Sequence, residues 1–249
     1  MRKSYIISSV LILALLVGVI ADLLFYWAMP VKQLAFFPLE PGSTWTYLVK
    51  SQSQQQNYLI TDRALGERFI DKLNRNCQVV DENYEIERGG VRPVLYYSNQ
   101  GYLNRLSGLE YVGEQIEFPP FTLSIEHQFL PINMQPSESW NGPIEPYGGM
   151  PKAPTISQSH RSFAESQEVV TQAGHFKDCL RIETEARFSG GAYEQPMLLN
   201  YREWYARGVG LVKSLATKDG FQGDPIESVE LLKFQTPELS GPVPDTTNN

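Results

Sequence analysis

The sequence predicts a mainly β fold: an antiparallel curved sheet, half-barrel or barrel made of two related halves, preceded by one N-terminal hydrophobic helix. Three observations support this prediction. The same landmarks occur twice in the same order, roughly a hundred residues apart. Apolar and polar residues alternate with a period of two in several segments, which is typical of strands. Glycine, proline and aromatic residues are plentiful while charged residues are sparse, which favours short strands joined by turns.

The repeated landmarks begin with a proline-containing segment that leads to a tryptophan, Phe37–Trp45 in the first half and Leu130–Trp140 in the second. Each half then carries one of the two cysteines of the chain, Cys77 or Cys179. Each half next reaches an aromatic pair before a glycine turn, Tyr96-Tyr97 before Gly101 and Trp204-Tyr205 before Gly208. The period is too long for a solenoid repeat of about 20–50 residues, and it fits two similar halves of one β structure.

Strands are predicted where the alternation is clearest, around Trp45–Val49, Tyr84–Arg88 and Leu180–Arg187. The segment Asp62–Leu73 has helical propensity of its own. The duplication aligns its Phe69-Ile70 with Val169-Val170, which favours a strand instead. Glycine-containing turns are expected between the strands. The turns considered are Gly89-Gly90, Asn99-Gln100-Gly101, Ala173-Gly174, Gly190-Gly191 and Gly208-Val209-Gly210.

These patterns divide the chain into four parts. Residues 1–29 are interpreted as a transmembrane anchor or signal segment, and 30–41 as a tether. A single duplicated β-domain is predicted over residues 37–235, with halves at about 37–110 and 129–216 and a closing strand at about 225–235. Residues 236–249 are expected to form a flexible tail. Within the second half, residues 141–160 hold four prolines and three glycines, which predicts a long irregular insertion.

The N-terminal segment begins with Arg2 and Lys3 and continues with an apolar run from Tyr5 to Met29. About 20 apolar residues can span a bilayer as a helix, so this run is long enough. It is either an uncleaved anchor with its basic end in the cytoplasm, or a signal peptide cleaved after Ala21. Both interpretations place the chain that follows on the side of the membrane opposite the cytoplasm. Asp22 is interpreted as an interfacial residue or as the residue that follows the cleavage site.

Composition narrows the classes of function. The net charge is −7 and the basic residues are scattered, so nucleic acid is not expected as a partner. His127, His160 and His175 are not spaced as metal ligands, and we expect them at the surface or in turns. The sequence has neither a Gly-x-Ser-x-Gly elbow nor a glycine-rich phosphate loop. We therefore predict no catalytic, cofactor-binding or metal-binding residues, and no enzyme.

Two pairs of acidic residues allow two interpretations: Asp81 with Glu82, and Glu183 with Glu185. We interpret both pairs as part of a solvated strand face. A glycosidase-like pair of carboxylates is the alternative, but its defining separation is a property of the folded chain.

The two cysteines, Cys77 and Cys179, allow two interpretations. In an oxidising compartment they could form a disulfide, which would contribute roughly 4 kcal/mol in the chain-entropy model. Alternatively, each is a small buried residue that packs within its own half. The sequence leaves both interpretations open.

Six aromatic residues recur at the landmarks, and they are interpreted either as core residues or as the lining of a concave sheet that holds an acyl chain or apolar peptide. These residues are Trp45, Tyr96, Tyr97, Trp140, Trp204 and Tyr205. We expect Trp204 to end a strand that runs into a tight turn and to pack against the core. Gly208 or Gly210 in that turn is expected to take a positive φ.

Four segments together resemble a widespread class of poorly characterised bacterial envelope proteins, which are secreted or lipid-anchored. The segments are Phe37–Leu39, Pro41–Tyr47, Ala173–Glu183 and Trp204–Lys213. The resemblance covers most of residues 37–234, and its broad shape is similar to the half-barrel lipoprotein carriers of the periplasm. Together with this resemblance, the N-terminal segment predicts a single-pass protein of the bacterial inner membrane with its β-domain in the periplasm or outside the cell, or a cleaved and secreted protein. The chain departs from lipid-anchored members because it has no cysteine near residue 20.

Three functions are compatible with these observations. The first is a membrane-tethered, non-enzymatic envelope protein that binds a protein partner or assists envelope assembly. The second is a carrier or sensor of an apolar ligand, such as an acyl chain or lipid, in the curved sheet. The third is a hydrolase with an unrecognised pair of carboxylates. No cofactor is implied by any of the motifs.

Overall fold

A computed structural model of the chain describes residues 36–53, 57–86, 89–119, 124–132, 137–147, 155–190, 193–218 and 220–237. The predicted N-terminal helix and most of the predicted tail lie outside the described residues. Within the described ranges, no helix is both long enough and apolar enough to cross a membrane.

The described residues form fourteen strands, and a short 3-10 turn at Asp71–Leu73 joins the second and third of them. The strands are β1 (Thr44–Ser51), β2 (Tyr58–Ile70), β3 (Arg75–Glu85), β4 (Val91–Asn99), β5 (Tyr102–Ser107), β6 (Glu110–Val112), β7 (Gln115–Glu117), β8 (Ser124–Pro131), β9 (Ser139–Tyr147), β10 (Thr155–Thr171), β11 (Gly174–Gly190), β12 (Tyr193–Ala206), β13 (Gly210–Thr217) and β14 (Pro225–Gln235).

Twelve of these strands form one closed antiparallel barrel, which confirms the mainly β, antiparallel fold and selects the barrel among the predicted forms. Neighbours in the barrel follow chain order, and β1 pairs with both β2 and β14, which closes the sheet. The short strands β6 and β7 form a separate hairpin between β5 and β8. Closure leaves no unpaired edge in the main sheet.

The barrel strands fall into two successive sets of six, β1–β5 with β8, and then β9–β14. Trp45 is the second residue of the first strand in its set, and Trp140 is the second residue of the first strand in the other. A duplicated chain would produce this succession. The duplication and the proposed half boundaries stay predictions until the two sets are superposed.

The strands also test two local predictions. Phe69-Ile70 ends β2 and Val169-Val170 lies near the end of β10, so both segments are strands, as predicted. The expected irregular insertion at residues 141–160 is wrong for most of its length, because β9 continues to Tyr147 and β10 begins at Thr155. Two of the four prolines, Pro143 and Pro146, lie within β9 itself.

One end of the barrel is covered by the chain that leads into it. We call the end where β1 begins, at Thr44, the floor, and the opposite end the mouth. Phe36 and Leu39 are buried at the floor. The ring of Phe37 lies 5.0 Å from that of Tyr96 between centroids, inside the barrel. The described part of the predicted tether is therefore packed against the barrel.

A second hydrophobic core lies outside the barrel wall, beneath the β6–β7 hairpin. Its buried members are Ile70, Cys77, Val79, Leu95, Tyr97, Leu106 and Leu109. Ile116 of β7 and Phe118 pack against them and shield this patch from solvent. Tyr111 of the hairpin donates a hydrogen bond of 2.6 Å from its hydroxyl to Asp81 Oδ1 of β3.

The two thiols do not form the disulfide considered from the sequence. Cys77 and Cys179 are free and buried. They lie on β3 and β11, which are six strand steps apart in either direction around the barrel. A bridge requires Cα atoms about 4.4–6.8 Å apart, which opposite walls of a barrel cannot provide. The structure therefore agrees with two separately packed cysteines.

Candidate ligand-binding lumen

Alternate residues of the barrel strands face its lumen. In β1, Trp45, Tyr47 and Val49 are buried, while the residues between them are partly accessible. The strand register carries this inward face onto the neighbouring strands, because Trp45 pairs with Asp62 of β2 and Asp62 pairs with Glu82 of β3. The lumen is therefore lined by a mixture of aromatic, aliphatic and acidic side chains.

Burial of the inward face changes along the barrel. Near the floor, Leu103, Leu180, Tyr205 and Leu231 are fully buried. Near the mouth, inward-facing side chains are half-buried, and most of them are apolar. They include Tyr58, Ile60, Phe188, Met197 and Leu199. An inward side chain of a closed barrel meets solvent only through an open end, so solvent reaches these side chains at the mouth.

An ion pair lies inside the barrel between β5 and β3. Arg105 Nη2 is 2.6 Å from Glu82 Oε1, and Arg105 Nε donates a 3.1 Å hydrogen bond to the Tyr96 hydroxyl. Tyr84 donates a 2.7 Å hydrogen bond to the other carboxylate oxygen of Glu82. The side chains of Arg105 and Glu82 are 25% and 11% exposed. Desolvation opposes the charge on Arg105, but Glu82 and Tyr96 outweigh it and raise its pKa.

Two further carboxyl groups face this ion pair. Burial raises the pKa of Asp62 well above its ordinary value, the charge of Glu82 raises it further, and Arg105 opposes the change. Glu203 faces the lumen from β12, where burial raises its pKa to about 7 against the lowering effects of Arg105 and a hydrogen bond from Tyr205. Burial therefore favours the protonated form of Asp62, and Glu203 has a pKa of about 7. Perturbed carboxyl groups of this kind are characteristic of functional sites.

Two histidines lie in the same lumen, which corrects the prediction that they are surface or turn residues. His127 pairs with Arg105 in the β5–β8 register, and His160 stacks on Trp140 with centroids 4.9 Å apart. Burial lowers their pKa values to about 3 and about 4, so both are neutral. His160 Nδ1 lies 2.8 Å from Thr184 Oγ1. Only His175 matches the prediction, since it is exposed beside the β10–β11 turn.

Several buried polar atoms that face the lumen have no hydrogen-bond partner among the described residues. They are Asp62 Oδ1, Gln78 Oε1, His127 Nδ1, Trp140 Nε1, Gln158 Oε1 and His160 Nε2. Roughly 90% or more of buried polar groups in proteins are hydrogen-bonded, so such atoms need an explanation. These six atoms share one interior space, whereas others of the same kind, such as Asn104 Oδ1 and Asn200 Nδ2, lie on the outer face of the wall.

The six aromatic residues selected from the sequence divide between the two faces of the wall. Trp45, Tyr96, Trp140 and Tyr205 are buried and face the lumen, and Trp45 Nε1 donates a 2.6 Å hydrogen bond to the Val209 carbonyl at the floor. Tyr97 faces outward in the core beneath the hairpin, where it donates a hydrogen bond to Glu126.

Trp204 corrects the expectation that it packs against the core. It is only partly buried on the outer wall, where the Arg202 guanidinium lies 5.9 Å and the Lys213 ammonium 5.8 Å from its ring. The turn that follows is as predicted, because Gly208 and Gly210 have φ values of 72° and 100°. A glycine adopts such angles without the steric cost of a side chain.

The sequence analysis missed the charged residues of the lumen. Glu82 was assigned to a solvated face together with Asp81, yet it faces inward and is 8% exposed. Glu183 and Glu185 do lie on the outer wall, where Arg181 and Arg187 are 3.4 and 3.9 Å away. The cross-strand register decides that Glu82 faces the lumen and that Glu183 and Glu185 face the outer wall. The sequence contains no direct signal for this register.

No group of three or more histidine, cysteine or acidic side chains in the described ranges could hold a metal ion. A shallow depression on the wall near Ser157, Ser159 and Arg187 contains no buried titratable group.

Comparison with known proteins gives limited matches. Residues 111–219 match the family model described as DUF3108-like, which is less than half of the chain. Two solved structures are similar at a TM-score of 0.49 and 12% identity. One is a predicted lipoprotein from Parabacteroides distasonis, with 81% of this chain and 99% of that chain covered. The other is a predicted exported protein with a YmcC-like fold from Bacteroides fragilis, with 82% and 100% covered. A search of curated proteins finds no match to this chain.

Proposed function

We propose that this chain is a non-enzymatic binding protein of the cell envelope whose barrel carries or senses a small ligand with an apolar body and a polar end. The lumen supports this proposal, because it combines apolar side chains at the mouth with unpartnered polar atoms deeper inside. Small-molecule sites are typically concave and mostly apolar, with a few polar groups that fix orientation. The proposal replaces the purely apolar ligand expected from the sequence with an amphiphilic one.

The envelope location rests on the N-terminal sequence. The apolar run from Tyr5 to Met29 follows two basic residues, and this arrangement favours export of the chain that follows. A fluorescent protein that matures only in the cytoplasm, fused after Asn249, should therefore remain dark. Bright fluorescence would contradict the proposed location.

A matched pair of substitutions tests whether the lumen holds the ligand. Leu199 faces the lumen near the mouth, and the adjacent Leu198 faces the outer wall. A neutral fluorescent probe, N-phenyl-1-naphthylamine, should bind to the full chain and lose affinity when Leu199→Trp narrows the mouth. Leu198→Trp adds the same indole outside and should leave binding unchanged. Equal loss in both variants would place the probe elsewhere.

A protein partner is a second candidate, supported by two exposed apolar side chains at the floor end. Phe69 is 57% exposed and lies beside the turn between β2 and β3. Val170 is 71% exposed and lies beside the turn between β10 and β11. A photo-crosslinking amino acid at either position should capture one discrete envelope protein in native membranes. The same residue at exposed Ser157 on the outer wall is the control. Equal capture from all three positions would argue against a defined interface.

The same binding experiments distinguish a carrier from the alternative, a hydrolase. A carrier binds its ligand in a fixed stoichiometry and releases it unchanged, whereas a hydrolase releases product. Mass spectrometry of the ligand recovered after prolonged incubation distinguishes the two. If the native chain shortens the ligand and the Glu203→Gln variant leaves it intact, the non-enzymatic proposal is overturned.

A further inference from the structure

The charged lining of the lumen is dominated by carboxyl groups. Around Arg105 lie three of them, Asp62, Glu82 and Glu203, and only Glu82 forms an ion pair with the guanidinium among the recorded contacts. Toward the mouth, Glu227 of β14 faces inward, as does Arg92, which lies over the Tyr84 ring. The described inward face thus has four carboxyl groups and two guanidinium groups. Burial raises the pKa of Asp62, Glu203 and Glu227, and a positively charged ligand among these groups would stabilise their ionised forms.

Tyrosine rings surround the same carboxyl groups. Burial raises the pKa of Tyr47, and the charges of Asp62, Glu82 and Tyr96 raise it further. Burial likewise raises the pKa of Tyr205, with added effects of Glu203, Tyr96 and Tyr47. These tyrosines therefore share one desolvated space with the acidic groups. Aromatic rings attract organic cations, and cages of such rings are a common way to bind quaternary ammonium groups.

Unpartnered acceptors provide an independent observation. Gln78 is 4% exposed, pairs with Tyr96 in the β3–β4 register, and leaves its side-chain carbonyl without a partner in the described structure. His160 is 6% exposed and neutral, and its Nε2 is likewise unpartnered. Both are nine-tenths buried and face the lumen. The lone pairs of the Gln78 carbonyl, and of His160 Nε2 when the ring proton is on Nδ1, present a negative potential to the lumen, which favours a cation over an anion.

We propose that the lumen selects an organic cation, an amine or quaternary ammonium group attached to an apolar body. The positive group lies among Asp62, Glu203 and the tyrosines, and the apolar body extends toward the aliphatic and aromatic side chains of the mouth. This inference rests on the proposed function, because it requires a ligand in the lumen. It adds the sign of the ligand charge and its orientation.

Three probes that share one apolar body test the sign of the charge. Benzyltrimethylammonium, benzyl alcohol and phenylacetate carry a positive, a neutral and a negative group on the same ring. Isothermal titration of the full chain should give an affinity for the cation at least about tenfold above that for the alcohol, a difference of roughly 1.4 kcal/mol. Phenylacetate should bind more weakly than both.

Substitutions identify where the cation binds. Glu203→Gln keeps the shape of the side chain, and we expect it to weaken benzyltrimethylammonium binding about fivefold or more while leaving benzyl alcohol unchanged. Glu183→Gln, on the outer wall of the adjacent strand, is the matched control and should change neither affinity. Circular dichroism of each variant checks that the barrel is intact, and Asp62→Asn provides a second lumenal variant if Glu203→Gln does not fold.

The outcomes separate this inference from the proposed function. If none of the three probes binds, or if Leu199→Trp does not reduce binding, the lumenal ligand site fails together with the inference. If the probes bind but phenylacetate or benzyl alcohol matches the cation, the ligand site stands and the charge preference is overturned. Equal effects of Glu203→Gln and Glu183→Gln would also overturn the assigned position.

Discussion

At the scale of single residues, two tryptophans of the second half, Trp140 and Trp204, differ in which face of the wall they occupy. Trp140 is 5% exposed and stacks on His160 inside the barrel, whereas Trp204 lies partly exposed on the outer wall. Trp140→Ala should cost about 3–5 kcal/mol of unfolding free energy, because it removes a buried indole and leaves a cavity. Trp204→Ala should cost about 1 kcal/mol, since it mainly loses two surface cation–π contacts. Urea denaturation checks both values, and a larger loss for Trp204→Ala would contradict the assignment of faces.

Glu203 makes the stability of the barrel depend on pH. Its pKa of about 7 in the folded chain exceeds the ordinary value of 4.5, so the folded state holds the proton more tightly than the unfolded state. This contribution to stability is present below about pH 4.5 and is lost as the pH rises through about 7. Between about pH 5 and 8, the melting temperature of the native chain should therefore fall relative to that of Glu203→Gln.

The control for this pH dependence is Glu183→Gln on the outer wall. Its melting temperature should follow that of the native chain over the same pH range, because Glu183 is paired with Arg181 at the surface. Asp62 and Glu227 also have raised pKa values, but both are retained in all three proteins, so their effects cancel in the comparison. A constant difference between Glu203→Gln and the native chain would contradict the assigned environment.

Individual residues also show why the sequence predicted strands better than it predicted the site. Alternation predicted a strand around Tyr84–Arg88, of which only Tyr84 and Glu85 belong to β3, and alternation carries no sign for inside and outside. The apolar Cys77 and Val79 lie on the outer wall under the hairpin, and the polar Glu82 and Tyr84 face the lumen. The usual rule places the polar face in solvent. A barrel with a polar lumen and a covered outer wall inverts that rule locally.

At the scale of elements, the β6–β7 hairpin explains the burial of one cysteine. It covers the outer core through Ile116, with Phe118 beside it. Burial raises the pKa of Cys77 to about 12 and that of Cys179 to about 11, so neither thiol should react readily at neutral pH. Replacing residues 110–117 with a flexible linker should make Cys77 reactive toward a thiol reagent. Cys179, on the opposite wall, is the internal control.

Labelling followed by peptide mapping measures the two cysteines separately in one sample. Reaction of Cys179 to the same extent as Cys77 would indicate general unfolding, and an unreactive Cys77 would contradict the covering role of the hairpin. The sequence did not predict this element, because β6 and β7 have three residues each and lie between β5 and β8, outside the barrel sheet. A short hairpin is marginal in isolation, and its structure depends on the surface that it covers.

At the scale of the whole molecule, the barrel was predictable because its evidence is distributed along the chain. Repeated landmarks such as Trp45 and Trp140 mark the first strand of each set of six, and alternation identifies several of the strands that follow. Closure was not predictable, because it depends on the pairing of β1 with β14 across almost the whole described chain. The lumen exists only once that pairing forms, so its residues could not be grouped from local sequence.

The closed ring of two six-strand sets predicts that the chain can be circularly permuted. The ends of the described chain meet at the floor, where Thr44 pairs with Gln235 and a Cβ on Gly42 would lie 3.6 Å from Pro237. In the permuted chain, a short glycine–serine linker joins Pro237 to Phe36, and the new termini lie between residues 132 and 137. Every pair of neighbouring strands in the ring is kept, because β8 and β9 pair through the sheet and not through the loop that joins them. The permuted protein should retain its β circular dichroism and melt within about 10 °C of a directly matched protein of residues 36–237 with native order, since loop closure changes stability only weakly with length.

New termini between β2 and β3 are the stricter comparison, because they divide a long hairpin and one of the two six-strand sets. If the first permutant fails to fold while the second succeeds, the seam between β8 and β9 is not a boundary between two halves, and the duplication loses its main structural support.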